Sequence, residues 1–139
     1  MLEPDPGAVR KGERRHPDFR FVVGRGEQIP FPDGSFDRVV AIRSTHHMET
    51  PGRLFGEAYR VLSEGGSLVI EELPPTSGWA RLFRAMAGHS HHGMTFQGPA
   101  AWESALRTAG FDRVEVRPQP PWFFVTGSKP ASIRPGAPA

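Results

Sequence analysis

Three groups of residues in this sequence are of types that do chemistry. His46 and His47 stand side by side just after the apolar run Arg38 to Ile42 (RVVAI), whose end is marked by Ser44 and Thr45. A neutral imidazole near pH 7 can take a proton from a hydroxyl, an amine or an activated carbon, or it can simply shape a pocket. His89, His91 and His92 lie in a glycine-rich stretch between Gly88 and Gly98. They invite a metal, but no cysteine or carboxylate accompanies them and they lack the i, i+4 spacing that sets two imidazoles on one ion, so no metal is assigned. Glu71 and Glu72 close another apolar run, where an acidic pair either faces a ligand or is solvated.

The elements around these residues say how they are presented. Arg38 to Ile42 reads as a buried strand, entered through the turn Pro32-Asp33-Gly34-Ser35. Leu54, Ala58, Val61 and Leu62 recur at helical spacing across Pro51 to Leu62, Gly65-Gly66 stops that helix, and Ser67 to Glu71 (SLVIE) follows as a strand. A strand-helix-strand unit with such a short return sets its strands parallel, so the predicted class is α/β with helices on the faces of the sheet. Ligands of such sheets bind beyond the carboxyl ends of the strands, which is where His46 and His47 fall.

The flanks extend the pattern. Phe19 to Val23 (FRFVV) is a further strand closed by Gly24 and Gly26, preceded by a surface helix over Pro6 to Arg15. Trp79 to Ala87 and Pro99 to Ala109 are helical, the second stopped by Gly110. Arg113 to Arg117 and Trp122 to Val125 pair antiparallel, with prolines confined to the connection between them. Trp79, Phe83, Met86, Met94 and Phe96 make the segment after Glu72 apolar and adaptable, as either the lining of a ligand pocket or ordinary core packing requires.

At 139 residues the chain has the size of one domain, which buries roughly 65–70% of its unfolded surface. We place that domain at residues 1–127 and expect a disordered tail over 128–139, which has almost no apolar side chain. Seventeen basic against 15 acidic residues leave a net charge of +2. The clustered Arg10, Lys11, Arg14 and Arg15 read as a solvated helix face, so nucleic acid is not an expected partner. Neither a long apolar run nor a signal-like leader is seen, which predicts a cytoplasmic protein with no membrane partner.

Taken in order, GRGEQIPFPDGSFDRVVAIRSTHHMETPGRLFGEAYRVLSEGGSLVIEE resembles the class I S-adenosylmethionine-dependent methyltransferases from after their third strand to their fifth. The shared features are Ile29-Pro30-Phe31, the turn Asp33 to Asp37, the strand Val39 to Ile42, Thr45-His46-His47, Arg60-Val61-Leu62 and Gly65-Gly66. Ala109-Gly110-Phe111 and Trp122 to Gly127 resemble the family's closing helix and final antiparallel strands. The resemblance implies a Rossmann-like sheet of order 3-2-1-4-5-7-6, S-adenosylmethionine as cofactor and a small-molecule methyl acceptor. It makes His46 and His47 candidate catalytic residues, and Glu3, Arg25, Gly26 and Ser44 candidate cofactor contacts, with Glu3 accepting from the ribose hydroxyls.

The departures from that pattern carry equal weight. Met1 to Pro6 resembles the end of the family's second strand, with Glu3 as its acidic residue, so the expectation is a sheet truncated at its N-terminal side, without the first strand and its glycine-rich turn. Arg25 stands where the family has an adenine-binding aspartate, and a guanidinium has five donors and no acceptor. Because the missing strand is central in that order, the chain is expected to pair Phe19 to Val23 with Arg38 to Ile42, to take a strand from another copy or a partner, or to remain partly unfolded. A solvated edge along Arg38 to Ile42 is the least expected outcome. The rival reading is a catalytically silent interaction module built on the same core.

Overall fold

The computed structural model describes residues 1–45, 48, 50–87 and 97–131. Its main sheet grows from the alternation in Phe36–Ile42 (β3). Val39 and Ala41 turn to one face and are covered, whereas Val40 and Ile42 turn to the other. The helix Pro51–Val61 (α2) buries Leu54, Phe55, Ala58 and Val61, one stripe at spacings of one, three and three. The chain then passes directly into Leu62–Glu72 (β4), which pairs parallel with β3, Val39 opposite Leu68 and Ala41 opposite Ile70. The register shifts between Phe36 and Arg38, where the partner strand passes through Gly65 at φ +76. That left-handed backbone favours glycine, which lets the chain start β4 without a separate loop.

After Gly78–Ala87 (α3) and Pro99–Thr108 (α4), the strands Asp112–Gln119 (β5) and Trp122–Ser128 (β6) complete the sheet in the order β3-β4-β6-β5. β6 runs antiparallel to both of its neighbours. The expected antiparallel pair is therefore present, but longer at both ends. Pro118 lies inside β5 rather than in the connection. β5 is the outermost strand, where a residue without an N–H is tolerated. The core sits between this sheet and the helices α2 and α4. Phe55 meets Trp102 edge-to-face with ring centroids 5.4 Å apart, and Leu106, Leu68, Ile70, Phe123 and Val125 surround them. Gly127 admits this packing, because a Cβ there would stand 2.9 Å from Leu106 and 3.0 Å from Phe111.

The domain boundary expected after Gly127 falls inside the fold. Ser128 is the last residue of β6, and the Lys129 ammonium donates to the carbonyls of Tyr59 at 2.9 Å and Leu62 at 2.7 Å. A cation at the last carbonyls of α2 also suits the helix dipole, and it lies 4.8 Å from the Tyr59 ring centre. The Lys129 backbone pairs with Gly66 at 2.8 Å and Gly65 at 3.1 Å as well, so hydrogen bonds and charge rather than apolar burial carry the chain past β6. Residues 132–139 lie outside the described residues.

The remaining strands form a separate two-stranded sheet. Leu2–Glu3 (β1) pairs parallel with Val22–Val23 (β2), and the helix Pro6–Arg15 (α1) lies between them in sequence. Asp5 caps α1 by accepting from the Gly7 amide at 2.8 Å, and only Val9 of that helix is buried. Arg10, Lys11, Arg14 and Arg15 are all exposed, the solvated face that their spacing implied. The strand expected over Phe19 to Val23 is shorter because β1 offers two residues to pair with, and Phe19 stays 63% exposed.

In sheet order the two pieces read β2-β1 and β3-β4-β6-β5, with no strand between β1 and β3 among the described residues. The expected closure of that gap by pairing β2 with β3 does not occur: among the described residues β2 pairs only with β1 and β3 only with β4, so the other edge of β3 is open, the outcome the sequence made least expected. Val40, 56% exposed, and Ile42, 52%, leave the outer face beside that edge uncovered as well.

The buried aromatic pair provides a direct stability test. Phe55→Ala should cost about 3–5 kcal/mol, a large share of the roughly 5–15 kcal/mol of a small domain. Urea unfolding of the variant would read this as a lower midpoint, and an unchanged midpoint would show that the α2–α4 core does not limit stability.

Candidate cofactor and acceptor site

The residues that end β1, β2 and β3 come together through their loops. At the end of β1, the Glu3 carbonyl accepts from the Gly24 amide at 3.1 Å, tying it to the end of β2. One carboxylate oxygen of Glu3 accepts from the Asp5 amide at 3.1 Å, which orients the side chain at the strand's carboxyl end. Beyond β2 the chain turns tightly, with the Gln28 amide donating to the Arg25 carbonyl at 3.1 Å and the Arg25 side chain exposed. A Cβ added to Gly26 would stand 2.8 Å from Met48 and 3.0 Å from Leu54. Glycine thus lets the turn after β2 lie directly against the loop after β3 and the start of α2.

The loop after β3 is held by both glutamates that end β4. Arg43 has φ +47, a left-handed backbone uncommon for a side chain of this size. Its amide donates to the Glu71 carbonyl at 2.8 Å, and its guanidinium lies 3.5 Å from the Glu71 carboxylate and 5.1 Å from the centre of the Trp122 ring. Thr45 is wholly buried, and both its amide, at 2.9 Å, and its hydroxyl donate to the same oxygen of Glu72. Ser44 is half-buried between these two anchored neighbours. Glu71 and Glu72 are thus neither a solvated pair nor a ligand-facing one. Glu71 meets a cation at the rim, and Glu72, 1% exposed, holds the loop from inside.

A second network joins the loop before β3 to α2. Arg60 donates to the carbonyls of Ile29 at 2.9 Å and Phe31 at 2.8 Å, to Asp33 at 2.8 Å, and to both oxygens of Glu57, each at 2.8 Å. Glu57 also accepts from the Ile29 amide at 2.8 Å. The hydrogen bond from Arg60 lowers the Glu57 carboxyl below its ordinary value; partial burial opposes that shift, and the Ile29 amide reinforces it. Glu57 and Asp33 in turn raise the Arg60 guanidinium. An open cleft of about 660 Å³ lies beside the clamp, lined by Pro4, Val23, Gly24, Arg25 and Gln28 on one side and Glu57 and Arg60 on the other.

Of the expected site residues, Glu3, Arg25, Gly26 and Ser44 all lie at the carboxyl ends of parallel strands. Arg25 also lines the cleft. His46 and His47, the histidine run His89, His91 and His92, and Met94 and Phe96 lie outside the described residues, as do the side chains of Phe83 and Met86. Arg43, Thr45 and Glu57 were not singled out from sequence. The Arg60-Val61-Leu62 motif was the available signal for the clamp, since an arginine in the last turn of a helix sits where a guanidinium can reach a neighbouring loop.

Comparison with known proteins supplies the context for this geometry. Residues 2–70 match the methyltransferase domain family. The chain is a member of the class I methyltransferases. It is 35% identical over 109 residues to the demethylmenaquinone methyltransferase of Beutenbergia cavernae, covering 78% of this chain and 44% of that protein. It is 31% identical over 148 aligned residues to the chloroplastic 2-methyl-6-phytyl-1,4-hydroquinone methyltransferase of Arabidopsis thaliana, covering 95% of this chain and 42% of that one. The chain therefore spans less than half the length of these relatives. A Thermotoga maritima protein described as an S-adenosylmethionine-dependent methyltransferase and possible histamine N-methyltransferase shares the fold at a TM-score of 0.77 and 21% identity, covering 92% of this chain and 72% of that one.

The described residues fit the family's cofactor in part. Glu3 has a carboxylate oriented at its strand end, suited to ribose hydroxyls, and Gly26 brings the turn after β2 against Met48 and Leu54, with only its backbone left to meet a ligand. Arg25 offers no acceptor to an adenine amine, and no amide-lined turn follows a strand between β1 and β3 among the described residues. By themselves these residues do not account for a transfer step. No helix among the described residues is long and apolar enough to cross a membrane.

Two substitutions test the anchors. Thr45→Val removes a hydroxyl donor from a buried carboxylate and should cost about 1–3 kcal/mol in urea unfolding, whereas Ser44→Ala should cost far less. Glu57 gives up its proton more readily when folded than when unfolded, so its contribution is full above about pH 4.5 and is lost as pH falls through the lowered folded value. Glu57→Gln should therefore lower stability at neutral pH and converge on the parent chain in strong acid. Parallel stability–pH curves for the two proteins would contradict that role.

Proposed function

We propose that this chain supplies most of the sheet and acceptor side of an enzyme that methylates a small hydroquinone-like molecule carrying an apolar chain. The observation that carries the reading is that Glu3, Gly26 and Ser44 each stand at or just past the carboxyl end of a parallel strand, with Gly26 packed on Met48 of the loop that follows Ser44. The named acceptors of the two relatives supply the substrate class. S-adenosylmethionine, when bound, supplies an electrophilic methyl group on a sulfonium, which an acceptor attacks in line. Glu3 would accept from the ribose, Gly26 and Ser44 would border the adenosine, and Arg25 would lie at its rim without an adenine contact. His46 and His47, next along the loop that Glu72 anchors, would shape the acceptor pocket or take the acceptor's proton.

The enzyme reading is favoured over the silent module because the relatives that match by sequence are themselves named as methyltransferases. It requires a further strand beside β3, with a turn that brings backbone amides to the cofactor. That strand would come from additional polypeptide, a partner or a second copy. A cytoplasmic setting fits a chain of this kind.

Calorimetric titration with S-adenosylhomocysteine tests the reading. The chain alone should bind more weakly than about micromolar, and fusion of a strand with a glycine-rich turn ahead of Met1 should bring affinity into that range. In the fused protein, Glu3→Ala should then lose about 1–3 kcal/mol, the cost of removing a charge-assisted acceptor. Micromolar binding by the chain alone would refute the need for the strand. No binding by a well-folded fusion would refute the enzyme reading.

A further inference from the structure

The helix α3 leaves β4 just beyond the acceptor side of the site and turns its two faces to different surroundings. Ser77 caps its start, accepting from the Ala80 amide at 3.0 Å through its hydroxyl, and Ala80 is wholly buried in a small cluster with Leu73 and Trp122. The outer face is apolar where a solvated helix would be polar. Trp79 is 56% exposed and Leu82 46%, and three residues apart they are neighbours on the helix surface. Exposed Arg81 flanks them, Arg84 follows in the same helix, and its ten residues contain no acid. Glu71, at the end of β4, pairs with Arg43.

We propose that the outer face of α3 docks this protein on an anionic lipid surface, with Trp79 and Leu82 entering the headgroup region and Arg81 meeting lipid phosphates. Tryptophan favours that depth, and an arginine beside it keeps its guanidinium at the charged surface while its stem lies along the apolar groups. The commitment to anionic lipid rests on charge complementarity, since a neutral surface would leave Arg81 without a partner. The inference rests on the proposed function for its purpose: a site at the carboxyl ends of β3 and β4, held against a bilayer by the helix beside it, receives an acceptor whose apolar chain stays in lipid. It replaces the expectation of no membrane partner with a peripheral contact, which needs no spanning helix.

Co-sedimentation of the protein with vesicles tests the contact without cofactor or acceptor. Vesicles of phosphatidylcholine containing about one-third phosphatidylglycerol should bind roughly tenfold more strongly than phosphatidylcholine alone. Arg81→Glu should remove most of that difference, and Trp79→Ser with Leu82→Ser should abolish binding. These side chains are exposed, so the melting temperature should hold. Equal binding to both vesicle types, or binding that survives the double substitution, would overturn the proposal. So would loss of binding in Val40→Thr with Ile42→Thr, which would place the contact on the open edge of β3. If the double substitution on α3 instead converts a lipid-free dimer to monomer in sedimentation velocity, the face is a contact between copies and the proposal fails. Because these vesicles hold no quinone, failure here leaves the methyl-transfer reading standing, and failure of the cofactor titration leaves the lipid contact standing.

Discussion

The Arg60 guanidinium holds the two parts of this molecule in one geometry. Its donors reach Ile29, Phe31, Asp33 and Glu57, and so fasten the segment leaving the small β1-β2 sheet to the helix that packs on the large sheet. The fork suits this work because several donors in one plane satisfy backbone carbonyls and carboxylates together, which a lysine cannot do. The network is partly exposed, so its value lies less in raw stability than in setting where the ends of β1 and β2 lie relative to the end of β3.

That placement matters because among the described residues no ladder of hydrogen bonds joins β1 to β3. In a continuous sheet the backbone alone would align the strand ends. Here alignment depends on side chains: the Arg60 clamp below, and above it the contact of Gly26 with Met48 and Leu54. The loop after β3 is itself set by Glu71 and Glu72, one through the strained backbone and cation of Arg43 and the other through the buried donors of Thr45. Consecutive residues of one strand point to opposite faces. Two adjacent acids can therefore reach the same loop from the rim and from the interior.

Much of this was legible in the sequence because short-range rules governed it. Helix α1 begins and ends where its proline and arginines placed it, and α2 and α4 end within a residue of their apolar periodicity. The parallel pairing of β3 with β4 followed from the short helical return, and the turn Pro32-Asp33-Gly34-Ser35 precedes β3 as its residues required. Glu3, Gly26 and Ser44 were singled out by the family resemblance rather than by local rules, and each stands at or just past a strand end.

What the sequence could not determine was anything decided by which surfaces meet. It left Glu71 and Glu72 as a solvated or ligand-facing pair, although the alternating pleat buries one and leaves the other at the rim. It ended the ordered domain at Gly127, because composition does not show that the Lys129 ammonium lies at the final carbonyls of α2, seventy residues away in the chain for Tyr59. It treated an open edge on β3 as the least expected outcome, because whether a strand edge finds a partner depends on where distant segments lie, which local patterns do not encode. Local periodicity and turn chemistry specify the elements from neighbours a few residues apart, and they are written in the sequence. The pairing of edges, the burial of one acid of two and the reach of a single arginine depend on long-range geometry, and only the tertiary structure decides them.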